Sequence, residues 1–317
     1  MLSLIKEKFG FDRFERKKLA FFEKHGWQFM PFAQKEPLPD PRLLVPHQVG
    51  EVQKLVDAIR EGDLVSFVVS DIGMGKTTLC KFLAETLPEE DHPEMITVFL
   101  HGPSIETPEQ MLRSILSRLE IESKGDLAAE FEQLYRWHEM YPDILLVLIV
   151  DEFPDINEKA LEVTRALADL RGIIWIFNGQ KVKILKFLEQ HSPALLQRRR
   201  IILELRPMGA EEVEELLALR MAWARGGDFN NLSIEPFTRE AIVGISKRSK
   251  GIPRETLKLA GDAVYLAIKD GSARITPRTI RKFTIEGKKK AKKVEKAKKV
   301  EKLKPKKKFL SFLRLRR

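Results

Sequence analysis

The 317-residue sequence predicts an α/β fold, a parallel sheet with helices on both faces, followed by an all-helical region. The first reason is that short apolar runs alternate with helical patterns between residues 47 and 207. The second is that the run from Ile144 to Val150 is apolar throughout, as is typical of a strand buried on both faces of a parallel sheet. The third is that strand patterns stop after Pro207.

The first element is an amphipathic helix at about residues 47–61, in which Val49, Val52, Leu55, Val56 and Ile59 recur at helical spacing. The predicted strands cover residues 64–69, 95–100, 144–150, 173–177 and 201–205. The helices between them cover about residues 77–87, 107–120, 126–140, 157–170 and 181–190. Four helical segments follow, separated by glycines, at about residues 209–225, 237–249, 253–269 and 277–285.

This order predicts four regions. Residues 1–46 form an N-terminal helix and a proline-rich extended arm, and residues 47–207 form the α/β core. Residues 208–286 form a helical domain, called the lid below. Residues 287–317 form a lysine-rich tail with a short repeat, which we expect to be disordered, or at most transiently helical, without a partner.

The net charge of +10 belongs to the tail. Residues 288–317 contain 13 Lys and 3 Arg against 2 Glu, so they carry +14, and the rest of the chain carries −4. The body is therefore mildly acidic, and any inference from charge to nucleic acid concerns the tail alone.

The compartment is predicted from weaker signals. The single cysteine, Cys80, excludes an intramolecular disulfide, which is typical of a reducing compartment. The N-terminus lacks the apolar run of a signal peptide, and no apolar run is long enough for a transmembrane helix. We therefore expect a soluble cytoplasmic protein.

Residues 70–78 read Ser-Asp-Ile-Gly-Met-Gly-Lys-Thr-Thr and follow the phosphate-binding pattern G-x-x-x-x-G-K-[ST], with Ser70 in place of the first glycine. Glycines let backbone N–H groups turn toward phosphate oxygens, and the following helix presents its positive N-terminus to the same anion. Lys76 is expected to reach the β- and γ-phosphates, and the Thr77 hydroxyl to bind Mg²⁺. The motif predicts the P-loop NTPase class and ATP binding by Gly73, Met74, Gly75, Lys76, Thr77 and Thr78.

The third strand ends in the acidic pair Asp151-Glu152, which is the Walker B arrangement. Asp151 is expected to hold Mg²⁺ through water, and Glu152 to act as the general base toward the attacking water. The alternative is an acidic pair at a helix start after a buried strand. The preceding P-loop favours the catalytic interpretation.

Three further positions are candidates. Asn178 is predicted to end the next strand, where an amide can orient the attacking water, although asparagine is also common in turns. Arg198, Arg199 and Arg200 precede the fifth predicted strand, and they form either an arginine finger for a neighbouring subunit or a solvated cationic edge. Arg254 begins a lid helix after Pro253, where it either reaches the nucleotide or lies on the surface.

With these motifs in order, residues 25–286 resemble an AAA+ ATPase, most of all the ExeA/GspA-type ATPases. That group is related to archaeal origin-recognition initiators and to transposition ATPases such as MuB and TnsC. The matching segments are Pro31-Phe32 through Arg42, the P-loop, Asp151-Glu152, Gly179-Gln180, Gln197-Arg198, Gly251-Ile252-Pro253-Arg254 and Ile275-Thr276-Pro277.

The resemblance implies that Arg198 is the arginine finger, that Arg254 is sensor 2, and that the chain assembles with copies of itself. It also implies Asn178 as sensor 1, although the family often has a small residue before Gly-Gln. The basic tail follows the lid where secretion-type members have a transmembrane helix and origin initiators a winged-helix domain. The resemblance therefore leaves the target open.

The tail has four possible roles. Its lysines favour phosphate contacts with DNA. Residues 309–317 combine apolar and basic side chains, as membrane-surface segments do. Residues 306–313 loosely match a sliding-clamp-binding peptide, with lysine in place of the usual glutamine. In the fourth alternative, the tail binds nothing specific and only keeps the protein soluble.

The predicted function is a Mg²⁺-dependent ATPase that acts as an oligomeric switch on DNA, in replication, recombination or mobile-element maintenance. One alternative is a cytoplasmic ATPase that assembles a membrane-associated secretion or pilus machine. Another is a nucleotide-binding adaptor with little hydrolysis, in which Glu152 would be catalytically idle.

Overall fold

The computed structural model describes residues 11–33, 38–62, 64–88 and 94–282. Its centre is one sheet of five parallel strands in the order β2-β3-β4-β1-β5. The strands are β1 (Val65–Val69), β2 (Met95–His101), β3 (Leu145–Asp151), β4 (Ile173–Gly179) and β5 (Arg199–Glu204). The predicted parallel α/β sheet is confirmed.

Helices cover both faces of the sheet. They are α2 (Val49–Arg60), α3 (Lys76–Thr86), α4 (Pro108–Arg118), α5 (Leu127–Met140), α6 (Leu161–Leu167), α7 (Lys181–His191) and α8 (Pro193–Gln197), after α1 (Phe11–His25) at the N-terminal end of the described chain. Alternate residues of β3 face opposite sides: Leu148 belongs to the buried cluster that contains α4, and Val147 to the one that contains α3. Because both faces are covered, the strand is apolar throughout.

Three local predictions were wrong. Asn178 lies inside β4, which continues to Gly179, rather than at its end. Arg199 and Arg200 lie within β5, and the short helix α8 precedes them where no helix was predicted. Helix α6 is shorter than predicted, because a 3₁₀ turn, Glu158–Ala160, replaces its first turn. The extra residues of β4 and β5 pair with β1, a distant segment of the chain, and local patterns do not encode such pairing.

The lid contains α9 (Ala210–Ala224), α10 (Arg239–Ser249) and α11 (Pro253–Asp270), and residues 277–282 are also helical. The predicted end of this last helix and the tail lie outside the described residues, as do residues 1–10 and 34–37 of the N-terminal region. None of the helices formed by the described residues is both long and apolar enough to cross a bilayer.

The N-terminal segment packs on the lid. Phe21, Phe22 and Trp27 share one buried cluster with residues of α9, α10 and α11. The rings of Phe32 and Phe237 lie 5.7 Å apart, edge to face. The segment then crosses to the core through the 3₁₀ turn Pro41–Leu43 and enters α2.

Candidate nucleotide-binding site

A cavity of about 760 Å³ lies at the carboxyl ends of the central strands, between the core and the lid. The core contributes the loop after β1, the turn after β3 and the end of β4. The N-terminal segment contributes Leu43, Leu44, Val45, Pro46 and His47, and the lid contributes residues of α9 and the start of α11. Ligands of open α/β sheets bind at this edge.

The loop between β1 and α3 has the backbone that the motif requires. Gly73 and Gly75 have φ of +84° and +93°, in the left-handed region where a side chain would be strained. Helix α3 begins at Lys76 directly after Gly75, and no side chain of the described residues caps its start. Its first N–H groups therefore point to the cavity end of the helix, as an anion site requires.

The Lys76 ammonium is held inside the loop. Nζ donates to the carbonyl oxygens of Ser70, at 3.2 Å, and Asp71, at 3.0 Å, and to Oγ of Ser70 at 3.2 Å. Burial lowers the pKa of Lys76, and the nearby carboxylate of Asp151 opposes that shift. Reaching a phosphate would exchange these three bonds for bonds to an anion.

Ser70, which replaces the first glycine of the motif, makes two hydrogen bonds within the loop. Its hydroxyl donates to the carbonyl oxygen of Asp71 at 2.9 Å and receives the bond from Lys76. A glycine at this position would lack that acceptor, so serine adds a hydrogen bond to the loop.

Thr77, Asp151 and Asn178 converge beside the loop. Oγ1 of Thr77 donates to the Asp151 carboxylate at 2.9 and 3.1 Å. Nδ2 of Asn178 donates to Oδ1 of Asp151 at 2.6 Å. Asn178 is fully buried, and its Oδ1 has no hydrogen-bond partner among the described residues. One carboxylate is thus oriented by two side chains from different elements.

These residues fit a magnesium ion. Mg²⁺ prefers oxygen ligands and is usually bound by one or two carboxylates together with substrate phosphates, rather than by an all-protein cage. Thr77 and Asp151 supply a hydroxyl and a carboxylate side by side. The described residues contain no cluster of three or more acidic, histidine or cysteine side chains that would form such a cage.

Glu152 lies at the cavity with an exposed side chain and a left-handed backbone, φ 52° and ψ 41°. Its N–H donates to Oδ1 of Asp151 at 3.1 Å. The turn is backed by Gly102, at which a Cβ would lie 2.7 Å from the Glu152 carbonyl oxygen. The orientation of Glu152 therefore depends on a glycine at the end of the neighbouring strand.

Arg254 brings the lid to the loop. Its backbone N–H donates to the carbonyl oxygen of Gly73 at 3.2 Å, and its side chain lines the cavity. A Cβ at Gly73 would approach Cβ of Arg254 to 3.0 Å, so this contact also needs glycine. Met74 and Thr78 line the same cavity.

Arg198 lies elsewhere. It follows α8 and forms an ion pair with Asp169, Nη2 to Oδ1, at 2.6 Å. The next residue, Arg199, pairs with Val65 at the start of β1, whereas the P-loop follows the end of that strand. A parallel strand of this length separates its ends by roughly 13 Å. Arg198 is thus not brought together with the other predicted site residues of its own chain.

Several residues were missed by sequence reasoning. At Gly102 and Gly251 a side chain would clash with backbone atoms of a distant segment. A Cβ at Gly251, for example, would lie 2.1 Å from the Met208 carbonyl oxygen. His47 contacts Glu212 and Arg206, and Gln48 bonds to Glu204 and Arg206, which ties the N-terminal segment to the core–lid connection. The sequence hinted at these residues only through their neighbours: His47 and Gln48 follow Pro46, and Gly251 begins the Gly251-Ile252-Pro253-Arg254 segment.

The fold and the site define a class. The parallel sheet in this order, the glycine-containing loop between β1 and α3, the acidic pair after β3 and the helical C-terminal region together form the P-loop NTPase fold of the AAA+ type. Residues 59–188 match the family model of the AAA domain.

Known relatives agree with this class. The chain is 24% identical over 258 residues to the ORC1-type DNA replication protein 1 of Sulfurisphaera tokodaii, covering 76% of the chain and 63% of that protein. Its fold matches the structure of the Aeropyrum pernix ORC2 protein in ADPNP–ADP complexes, with a TM-score of 0.60 and 17% identity. The match covers 80% of this chain and 70% of the ORC2 chain. It also matches Cdc6p of Pyrobaculum aerophilum, with a TM-score of 0.59, 18% identity and coverage of 81% and 70%.

The chain spans less than two thirds of the length of the ORC1-type relative. The chain is thus similar to the AAA domain over residues 59–188 and to an archaeal ORC1-type protein over a longer segment.

Proposed function

We propose that the protein is a Mg²⁺-dependent ATPase whose nucleotide state is coupled to the position of the lid. The observation that carries this proposal is the convergence of Thr77 and Asn178 on Asp151 beside the P-loop, in a cavity that the lid closes through Arg254. Nucleotides in the ADPNP–ADP complexes of the structurally similar ORC2 protein support the same ligand class.

In the proposed reaction, water attacks the γ-phosphorus of ATP, the bond to the β,γ-bridging oxygen breaks, and ADP leaves with the bonding electrons. Glu152 takes the proton of the attacking water. Lys76 would exchange the loop carbonyls for the phosphate oxygens, and Thr77 and Asp151 would hold the metal. When bound, Mg²⁺ would neutralise charge on the β- and γ-phosphates.

The test is ATP hydrolysis and ATP binding in Glu152→Gln and Lys76→Ala. Glu152→Gln should bind ATP normally and hydrolyse it at least about 100-fold more slowly, because only the base is removed. Lys76→Ala should lose binding. The matched control is Glu158→Gln, an exposed carboxylate that contacts His191 on the surface. Wild-type hydrolysis by Glu152→Gln would favour the adaptor alternative.

The second part of the proposal is an oligomer in which Arg198 serves the site of a neighbouring copy. Because Arg198 lies near the opposite end of β1 from its own P-loop, any ATP site that it serves would belong to a neighbouring copy. Arg198→Ala and Glu152→Gln should each be inactive alone, and their mixture should regain activity, because one supplies the base and the other the arginine. No recovery in the mixture, with recovery for Arg199→Ala instead, would reassign the finger.

The third part is action on DNA through residues 288–317. The relative named as a DNA replication protein and the charge of +14 on this segment support it. DNA affinity should fall steeply with salt in the full chain and weaken strongly after removal of residues 288–317. Unchanged affinity would reject the role of the tail.

Finer assignments are also proposals. We group the chain with the ExeA/GspA-type ATPases on its motifs and place it in the cytoplasm. Liposome co-sedimentation and clamp binding with and without residues 306–313 test the membrane and sliding-clamp alternatives.

A further inference from the structure

One arginine of the lid is buried at the cavity. Arg220 is only 5% exposed, on helix α9, and lines the cavity together with Leu216 one helical turn before it. Residues four apart share a face of a helix, so the two side chains approach the cavity side by side. Arginine is rarely buried without a partner.

Arg220 has no such partner in the described part of the chain. Its buried Nε lacks a hydrogen-bond acceptor there, and no ion pair forms. Burial lowers the pKa of the guanidinium, and no charged group opposes that shift. Arg225 on the same helix differs, because it donates to carbonyl oxygens of His25, Ser233 and Glu235.

The position of Arg220 within the cavity indicates which part of a ligand it meets. Helix α9 contacts the 3₁₀ turn Pro41–Leu43. Leu43 and Leu216, which both line the cavity, belong to one buried cluster, whereas Met74 of the P-loop belongs to another. Arg220 therefore lies away from the phosphate-binding loop.

We propose that Arg220 is a nucleotide-binding residue that donates hydrogen bonds to the nucleoside part of the ligand, its ribose or base acceptors, while the P-loop binds the phosphates. This inference rests on the proposed function, because it assumes that the cavity holds a nucleotide. A buried guanidinium gains its missing acceptors only when the nucleotide is bound. The same residue then links binding to the position of α9 and the lid.

The experiment compares Arg220→Met with Arg225→Met. Methionine fills a similar volume without charge, so Arg220→Met should melt without nucleotide at the same temperature as the wild type or a few degrees higher. Its affinity for Mg·ATP should fall about tenfold or more, because hydrogen bonds from a charged donor are lost. Affinity for inorganic tripolyphosphate, which has no nucleoside, should be unchanged. Arg225→Met should melt lower and bind Mg·ATP normally.

Wild-type affinity for Mg·ATP in Arg220→Met would overturn this inference alone. Equal weakening of tripolyphosphate would also overturn it, as would a lowered melting temperature with unchanged affinity, which indicates a purely structural role. If the wild-type protein bound no nucleotide at all, the proposed function would fail together with the inference.

Discussion

Nδ2 of Asn178 lies 2.6 Å from Oδ1 of Asp151, and this bond connects two adjacent strands, β4 and β3, at the edge where the P-loop lies. The carboxylate also receives the Thr77 hydroxyl. Asn178 therefore orients the residue expected to hold Mg²⁺, rather than contacting Glu152 directly. A change at Asn178 should affect both the charge balance and the geometry of this carboxylate.

Asn178→Asp should lower the free energy of unfolding by about 1–3 kcal/mol at pH 8, because it buries a second carboxylate against the first. Repulsion and burial raise a carboxyl pKa, so the folded state would bind a proton that the unfolded state does not. The loss of stability should therefore shrink as the pH falls toward 4. Urea unfolding at pH 5 and pH 8 measures it.

The control for this substitution is Asn178→Ala, which removes the amide without adding charge. Its loss of stability should be similar at both pH values. A pH-independent loss in Asn178→Asp as well would show that the two carboxylates do not interact.

Gly251→Ala should destabilise the protein by about 2–4 kcal/mol, because its Cβ would lie 2.1 Å from the Met208 carbonyl oxygen. Gly271 is a matched control, since its φ of +71° is almost the same as the +70° of Gly251 and no atom lies within 4 Å of its Cβ position. Gly271→Ala should cost only about 1–2 kcal/mol, from the left-handed backbone. Equal losses of thermal stability would refute the role of the Met208 contact.

Gly102→Ala should slow ATP hydrolysis more than it weakens ATP binding. The added Cβ would lie 2.7 Å from the Glu152 carbonyl oxygen and push the turn that carries the proposed base. Gly50→Ala, in helix α2 with open space around it, should leave hydrolysis unchanged. Steady-state rates with separately measured nucleotide affinity decide the matter, and normal hydrolysis in Gly102→Ala would mean that the turn tolerates displacement.

Glu212→Gln should reduce stability by about 0.5–1.5 kcal/mol at pH 7. Burial raises the pKa of Glu212, but hydrogen bonds from His47 and the Gly209 N–H together lower it below its usual value. A carboxyl with a lowered pKa stabilises the fold above about pH 4.5, and this contribution is lost as the pH falls through the folded pKa.

Thermal unfolding of Glu212→Gln at pH 7 and pH 3 checks this sign. The difference from the wild type should be present at pH 7 and nearly absent at pH 3. Glu211→Gln, one residue earlier and exposed, serves as the control. An equal difference at both pH values would point to packing instead of charge.

The sheet and the lid helices were predictable because their signals are local. Apolar runs reveal buried strands, and glycines with Gly251-Ile252-Pro253-Arg254 reveal a lid helix start. The P-loop and Asp151 were predictable for the same reason. One short segment contains the whole phosphate-binding loop, and another contains the apolar strand that ends at Asp151.

The remaining features depend on contacts between distant segments. A Cβ at Gly102 would clash with the Glu152 backbone after the neighbouring strand β3. The lack of a partner for Arg220 Nε depends on which segments of the chain pack around α9. A helical pattern predicts that Leu216 and Arg220 share a face but not what that face meets. The packing of Trp27 on the lid was likewise hidden, because its partners lie far along the chain.

The shared core of the N-terminal segment and the lid imposes an order on biosynthesis. Nε of Arg225 bonds to the carbonyl oxygen of His25, a separation of 200 residues. At a synthesis rate of about 5–20 residues per second, the lid residues that bury the apolar face of α1 are made roughly 10–40 s after α1 itself. The sheet, complete at Glu204, can form first. The aromatic residues Phe21, Phe22 and Trp27 are therefore synthesised before the sheet but buried after it, and the nascent chain exposes them to chaperones throughout that interval.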